Sequence, residues 1–302
     1  MDMNKHAYLI MAHNQFDLLK TLLICLDHPQ NDIFIHMDAK TSCDFEDIKS
    51  VLKSSACYFT PRCSVTWGGF SQIQAELILL KAATQQGTYA YYHLLTGVDM
   101  PLRPQQEILD FFSNCGGKEF ISCSQQLNTD AMNRVRYYYP FQEKLPPRTF
   151  FAKLFKKAGL ILQKLLRTDR TRGTGIIWGI GSAYFDITDK MARYVLQQEP
   201  FIQKHFSSSF CADEMFLQTV FLNSPYNKPE ARYVSNHTPH PYIQDTYFDV
   251  LRAIDWTRGV PYTYASEDYD MLMTSGCLFA RKFDWAKDSA VICKIAEAIA
   301  SE

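Results

Sequence analysis

The sequence lacks several features that would settle its class at once. No apolar run approaches the roughly 20 residues a helix needs to span a bilayer, which excludes a helical membrane-embedded protein. There is almost no net charge: 31 basic residues against 32 acidic ones leave −1, so nothing global points to nucleic acid. Recognition of an anion must therefore rest on local basic clusters. No two cysteines are spaced as C-x-x-C, and the nine present (Cys25, Cys43, Cys57, Cys63, Cys115, Cys123, Cys211, Cys277, Cys293) are odd in number. Reduced thiols in a cytosolic protein fit that usage better than a disulfide framework or a zinc site. Gly179-Ile180-Gly181 is not completed to G-x-G-x-x-G, and Ser182 is not in a G-x-S-x-G elbow, which argues against a phosphate loop and a hydrolase. No internal repeat or low-complexity tract is present.

What is there is a chain of 302 residues, 47% hydrophobic, able to bury one large α/β core or two smaller ones. Ala7 to Ala12 reads as a buried strand with His13 at its carboxyl end, and Asn14 caps a helix carrying Phe16, Leu19, Leu23 and Leu26. Ile33 to Met37 is a second strand ending on Asp38. Strand, helix, strand implies a parallel pair, and ligands of such sheets bind beyond the carboxyl strand ends, where His13 and Asp38 fall. Asp38 suits a ribose or uracil hydrogen bond, or is an ordinary loop aspartate. Ser64 to Trp67 reads as a third strand. Gly68-Gly69 then turns into a capping box, Ser71 to Gln74, opening a helix with Ile73, Leu77 and Leu80 inward and Gly87 as its stop. Tyr91 to Leu95 is the next strand and leads to Asp99 on its end loop. Polar groups at three strand ends suggest a nucleotide or sugar pocket.

The organising stretch is Phe210 to Leu217. Leu217, Val220 and Phe221 recur at helical spacing, placing Glu214 in the first turn, where the helix dipole favours negative charge and a carboxylate can take a proton from a hydroxyl. The plainer alternative is that Asp213 caps the helix and Glu214 complements its dipole. Phe150 to Arg172 sets seven apolar residues against seven cations, a helix suited either to an anionic bilayer or acceptor site, or to docking on the core by its leucines. Glu267, Asp268 and Asp270 form either a metal cluster or a solvated turn. Arg281 and Lys282 lie between apolar residues, where an arginine fork and a lysine point charge can grip a diphosphate.

Taken in order, Ala7 to His13, Ile33 to Asp38, Trp67 to Leu77, Leu95 to Pro101, Gly181 to Phe185, Ala212-Asp213-Glu214, Arg252 to Trp256 and Leu278 to Asp284 resemble the core-2/I-branching β-1,6-N-acetylglucosaminyltransferases, the family that also holds the peptide O-xylosyltransferases. The resemblance implies an α/β, GT-A-like fold: a central, mostly parallel twisted sheet flanked by helices, in a single domain over residues 1–302. Within it, 1–125 is the nucleotide-sugar half, 126–175 a basic amphipathic insertion and 176–302 the acceptor and catalytic half. It implies inverting transfer from a UDP-sugar, N-acetylglucosamine or xylose, to a glycan or lipid-linked hydroxyl without a divalent metal.

Glu214 then falls on the catalytic base, Arg281 and Lys282 on the cations facing the leaving diphosphate, and Trp256 on the aromatic against the acceptor sugar. His13, Asp38 and Asp99 lie on the donor side. The amino-terminal anchor, stem and paired cysteines of the animal members have no counterpart, so the expectation is a compact bacterial type working from the cytoplasm, peripheral to the inner membrane face through 150–172. A metal-dependent enzyme of the same fold, a glycosidase using Asp213 and Glu214, and a non-catalytic carbohydrate-binding protein are the competing readings. Adjacent helical positions diverge by about 100°, which weighs against the glycosidase.

Overall fold

The structure is a computed structural model that describes residues 5–143 and 150–300. In chain order it runs β1 (His6–Ala12), α1 (Phe16–Leu26), β2 (Asn31–Met37), α2 (Phe45–Lys49), β3 (Ala56–Phe59), α3 (Phe70–Gln86), β4 (Tyr91–Thr96), β5 (Asp99–Pro101), α4 (Gln105–Ser113) and β6 (Phe120–Ile121). It continues with α5 (Thr129–Arg136), α6 (Phe150–Leu165), β7 (Phe185–Thr188), α7 (Asp189–Gln197), α8 (Glu199–Phe206), α9 (Phe216–Leu222), α10 (Asp245–Phe248), β8 (Arg252–Ile254), α11 (Tyr269–Thr274), β9 (Phe279–Arg281) and α12 (Ser289–Ala300).

Among the described residues the main sheet has the order β3-β2-β1-β4-β7-β6, and a small sheet the order β5-β9-β8. Strands β1 to β4 are parallel, while β7 runs antiparallel to both β4 and β6. Every residue of β2 is buried, as a parallel strand covered on both faces must be. One face packs on α1 and α12 through Leu18, Leu22, Ile292 and Ile295, and the other on α3, α7 and α9 through Ile73, Leu80, Val195 and Val220. The carboxyl-terminal part of the chain supplies β7 to the main sheet and β8 and β9 to the small one, so both sheets are built from both ends of the chain.

Four local expectations are corrected. The third strand is Ala56–Phe59, not Ser64 to Trp67: Pro61 has no N–H to give a ladder, and the backbone beyond it bonds to side chains instead, Cys63 N–H to His36 Nε2 at 3.0 Å and Val65 O to Lys40 Nζ at 2.5 Å. No capping box opens α3. Its free N-terminus is closed by the distant Glu143, whose Oε1 accepts from Ser71 N at 2.8 Å and Oε2 from Ser71 Oγ at 2.9 Å. Glu214 precedes its helix, on a separate 3₁₀ turn, Ala212–Glu214, because Met215 (φ −133°) breaks the helical path. Helix α6 is docked only slightly by its described leucines: Leu160 is half-buried, whereas Leu154, Leu162 and Leu165, with Ile161, are exposed.

A buried polar chain fastens the two sheets together. Arg252, on β8, is 1% exposed and donates to both oxygens of Asp186 on β7, at 2.5 and 2.8 Å, and to the carbonyl of Leu94 on β4 at 3.1 Å. His93 Nδ1 donates to Asp186 at 2.7 Å, so its Nε2 accepts from His6 Nδ1 at 2.8 Å. Burial pushes His6 down to about 2 and lowers His93, leaving both rings neutral, while Arg252 outweighs the burial of Asp186 and keeps its carboxyl below the usual range. Arg252→Ala would strand the Asp186 charge, and breaking a buried pair in this way costs about 3–5 kcal/mol. The urea midpoint of unfolding should fall accordingly; an unchanged midpoint would mean that the pair does not hold the sheets.

Candidate active site

The chain builds β1, β2 and β3 outward in one direction and then returns to place β4 on the other side of β1. That reversal opens a crevice at the carboxyl ends of β1 and β4. There Gly97 N–H bonds Met11 O at 2.9 Å, and a Cβ on Gly97 would stand 3.1 Å from that of Ala12, so the strand ends close to this separation only with glycine. The crevice widens into a cavity of about 530 Å³ lined by His13, His36, Asp38, Trp67, Gln72 and Arg281 among others.

The predicted site residues separate here into three groups. His13, Asp38 and Arg281 line the cavity. Asp38 is buried, with Oδ1 accepting from Lys40 N at 2.9 Å and Oδ2 lying 3.3 Å from Lys40 Nζ. Asp99 does not line the cavity. Its Oδ2 accepts from Thr96 N at 2.7 Å and its Oδ1 from Arg281 NH1 at 2.9 Å, so it anchors the arginine. The same NH1 bonds Thr96 Oγ1, and the guanidinium lies 5.6 Å from the Tyr184 ring centroid. Lys282 lies outside the cavity wall, its backbone paired with Tyr262 and Tyr264.

Glu214 and Trp256 form the third group, joined to Arg281 through a residue the sequence reading passed over. The Tyr247 hydroxyl is hydrogen-bonded to Trp256 and lies within the fields of both Glu214 and Arg281; burial, then Glu214, pushes it up to about 12. Acid, indole and guanidinium thus lie in the neighbourhood of one tyrosine, and of the three it is Arg281 that lines the cavity. Trp256 remains 37% exposed, leaving part of its ring free to stack on a ligand.

Behind Glu214 the charges are arranged in a definite way. Cys211, in the left-handed region at φ 45°, turns the chain sharply into Asp213 and Glu214. The Glu214 carboxylate is ion-paired with Arg134 of α5, whose NH1 also donates to Cys211 O at 3.2 Å. Burial works against the Arg134 charge, but Glu214 outweighs it and raises its pKa. Asp213 faces the other way: Oδ2 accepts from Gln72 Nε2 at 3.0 Å, while Oδ1 is shut off from solvent without a partner. Glu76, one helical turn beyond Gln72, is likewise buried with an unpartnered Oε2. Burial, then the Asp213 charge, raises Glu76 well above the carboxylate range; burial, then Glu214, pushes Asp213 up to about 7. Glu76 is thus held protonated near neutral pH, while Asp213 exchanges its proton there.

Because Asp213 and Glu214 address different partners, they do not flank a common substrate as a glycosidase pair would. Nor do Glu267, Asp268 and Asp270 converge: Asp268 is buried against Arg258 NH1 at 2.7 Å and the backbone N–H of Ala265 at 3.0 Å. Among the described residues no three metal-ligating side chains gather. Arg134 lies in a stretch the sequence reading had marked as basic, and the Gln72/Glu76 spacing on α3 could have flagged an inward polar pair. Nothing local points to Tyr247.

A central, mostly parallel sheet flanked by helices, with a cavity at its switch point, is consistent with a GT-A-like glycosyltransferase fold. Within that class the chain belongs to the core-2/I-branching enzyme family, which it matches over residues 6–272. It is 25% identical to the mouse N-acetyllactosaminide beta-1,6-N-acetylglucosaminyl-transferase over 92% of this chain and 68% of that one. Rat xylosyltransferase 2 is 23% identical over 95% of this chain and 32% of its own length. The human beta-1,3-galactosyl-O-glycosyl-glycoprotein beta-1,6-N-acetylglucosaminyltransferase is 22% identical over 92% and 65% respectively. The chain thus spans 32% to 68% of the length of these relatives, all glycosyltransferases.

The raised Asp213 pKa has a signed consequence. The stability the protonated carboxyl allows is complete below its unfolded value near 3.8 and is lost as pH rises through about 7. Asp213→Asn should therefore unfold at a higher temperature than the parent at pH 8, by a few degrees, with the difference closing toward pH 4. Melting curves across that range check it, and a gain equal at both ends would contradict a buried neutral acid.

Proposed function

We propose that the chain is an inverting glycosyltransferase moving a sugar from a UDP-sugar to a hydroxyl of a glycan or lipid-linked acceptor on the cytoplasmic side. What supports this reading is the match to the core-2/I-branching enzyme family together with a strand-end cavity lined by Arg281, whose field reaches Tyr247 as does that of Glu214. Inversion takes one in-line displacement: the acceptor oxygen bonds to the anomeric carbon, the bond to the diphosphate oxygen breaks, and the acceptor proton passes to Glu214. One base suffices, and no second carboxylate is needed as nucleophile.

Arg134 holds the Glu214 carboxylate in place before the acceptor arrives, while Asp213 is engaged by Gln72 and Glu76 is buried. The departing diphosphate gains charge, and Arg281, whose NH1 is held by Asp99 and Thr96, has Nε and NH2 left as donors to meet it. A preorganised cation in a partly dry site contributes on the order of several kcal/mol of barrier reduction. Lys282 would then act only as a more distant charge. The transfers for which the relatives are named make N-acetylglucosamine the first donor to test and xylose the second.

In Glu214→Gln, transfer should fall by about two to four orders of magnitude while stabilisation by UDP in a thermal-shift assay persists. Arg281→Gln should weaken both. Transfer unaltered in Glu214→Gln would remove the base from the mechanism. A panel of UDP-sugars assayed with and without excess chelator identifies the donor, and activity is expected to survive the chelator. Abolition by chelator, restored by added metal, would instead establish the metal-dependent alternative.

A further inference from the structure

Of the described apolar side chains of helix α6, Leu154, Ile161, Leu162 and Leu165 are exposed to solvent. Gln163 ties the helix to the preceding loop: its side-chain amide accepts from Tyr138 N at 2.7 Å and donates to Tyr138 O at 3.0 Å. About 160–200° around the helix from Gln163 lies a stripe of Leu154, Ile161 and Leu165, with Leu162 on its flank, all 51% to 75% exposed. Leu166, just past the helix, extends it at 69% exposed. Neither core cluster of described residues contains any residue of the helix.

The charge of the segment is as one-sided as its hydrophobicity. Residues 150–167 contain Lys153, Lys156, Lys157, Lys164 and Arg167 and no acid, in a chain whose net charge is −1. Lys157 and Lys164 are exposed along one edge of the stripe. A second copy of the chain would bring cations against cations, whereas a bilayer bearing anionic headgroups meets both the stripe and its charged border. We infer that this face of α6 docks on an anionic phospholipid surface, the leucines entering the headgroup boundary and the lysines lying against the phosphates.

The connection from this helix to the cavity is short. The loop at 137–143 that bonds Gln163 also places Gln142 Nε2 3.0 Å from the carbonyl of Trp67, a residue of the cavity wall. Docking through α6 thus sets the cavity near the membrane, which suits the lipid-linked acceptor of the function proposed above but does not depend on it.

Co-sedimentation of the full chain with extruded vesicles at physiological ionic strength tests the inference. Phosphatidylglycerol/phosphatidylethanolamine vesicles should carry the protein down and phosphatidylcholine vesicles should not. The pairs Leu162→Glu/Leu165→Glu and Lys157→Glu/Lys164→Glu should each weaken binding by about tenfold or more. Their circular dichroism and UDP-dependent thermal shift should match the parent, separating lost docking from lost folding or a misassigned donor. The inference is overturned if the parent stays in the supernatant, if either pair binds as the parent does, or if the leucine pair changes only the oligomeric state in sedimentation velocity.

Discussion

The ion pair between Arg252 and Asp186 is the constraint on which the site depends. A three-stranded sheet of such short strands has little reason to hold a fixed position beside the six-stranded one. A fully desolvated guanidinium that fits two oxygens of Asp186 and a carbonyl of β4 gives it one position. Tyr247 and Trp256 flank β8, and Arg281 ends β9, so fixing the small sheet fixes the acceptor-side aromatics and the cation together. The Tyr184 ring lies near both guanidinium groups, 5.8 Å from that of Arg252 and 5.6 Å from that of Arg281, and passes the order of the buried pair on to the cavity wall.

Charge at the site follows from burial more than from net composition. Three acids, Glu76, Asp213 and Glu214, sit close together, yet two of them are enclosed enough to favour the proton, and the third is met by Arg134. On the far side Asp99 is held by Thr96 and Arg281, so its charge steadies a cation instead of repelling an incoming diphosphate. The result is an acid held by Arg134 and a cation held by Asp99, a division of labour that suits a single displacement.

Much of this was legible in the sequence. The apolar runs of β1, β2 and β4 and the polar residues that end them gave the sheet and its ligand-binding edge, because parallel strands covered on both faces leave an unmistakable pattern. Glu214 and Arg281 could be singled out because each sits in a stretch with its own chemical character, whereas Trp256 was marked only by the family resemblance. What could not be read were facts of distance. Asp99 as the anchor of Arg281, Tyr247 as the bridge, and Glu143 as the cap of α3 join residues far apart in the chain, with no local periodicity to mark them. The outward leucines of α6 are a different kind of case, since amphipathic spacing identifies an apolar face without saying whether protein or something else covers it.

A crystal structure of the protein with UDP bound tests the central claim most directly. The account predicts the diphosphate against Arg281 in the strand-end cavity, the nucleoside toward His13 and Asp38, and the Glu214 carboxylate facing the outer phosphate across the space left for a sugar. UDP seated elsewhere, for example in the separate groove lined by Phe70, Lys81 and Glu199, or with its phosphates turned away from Arg281, would contradict it.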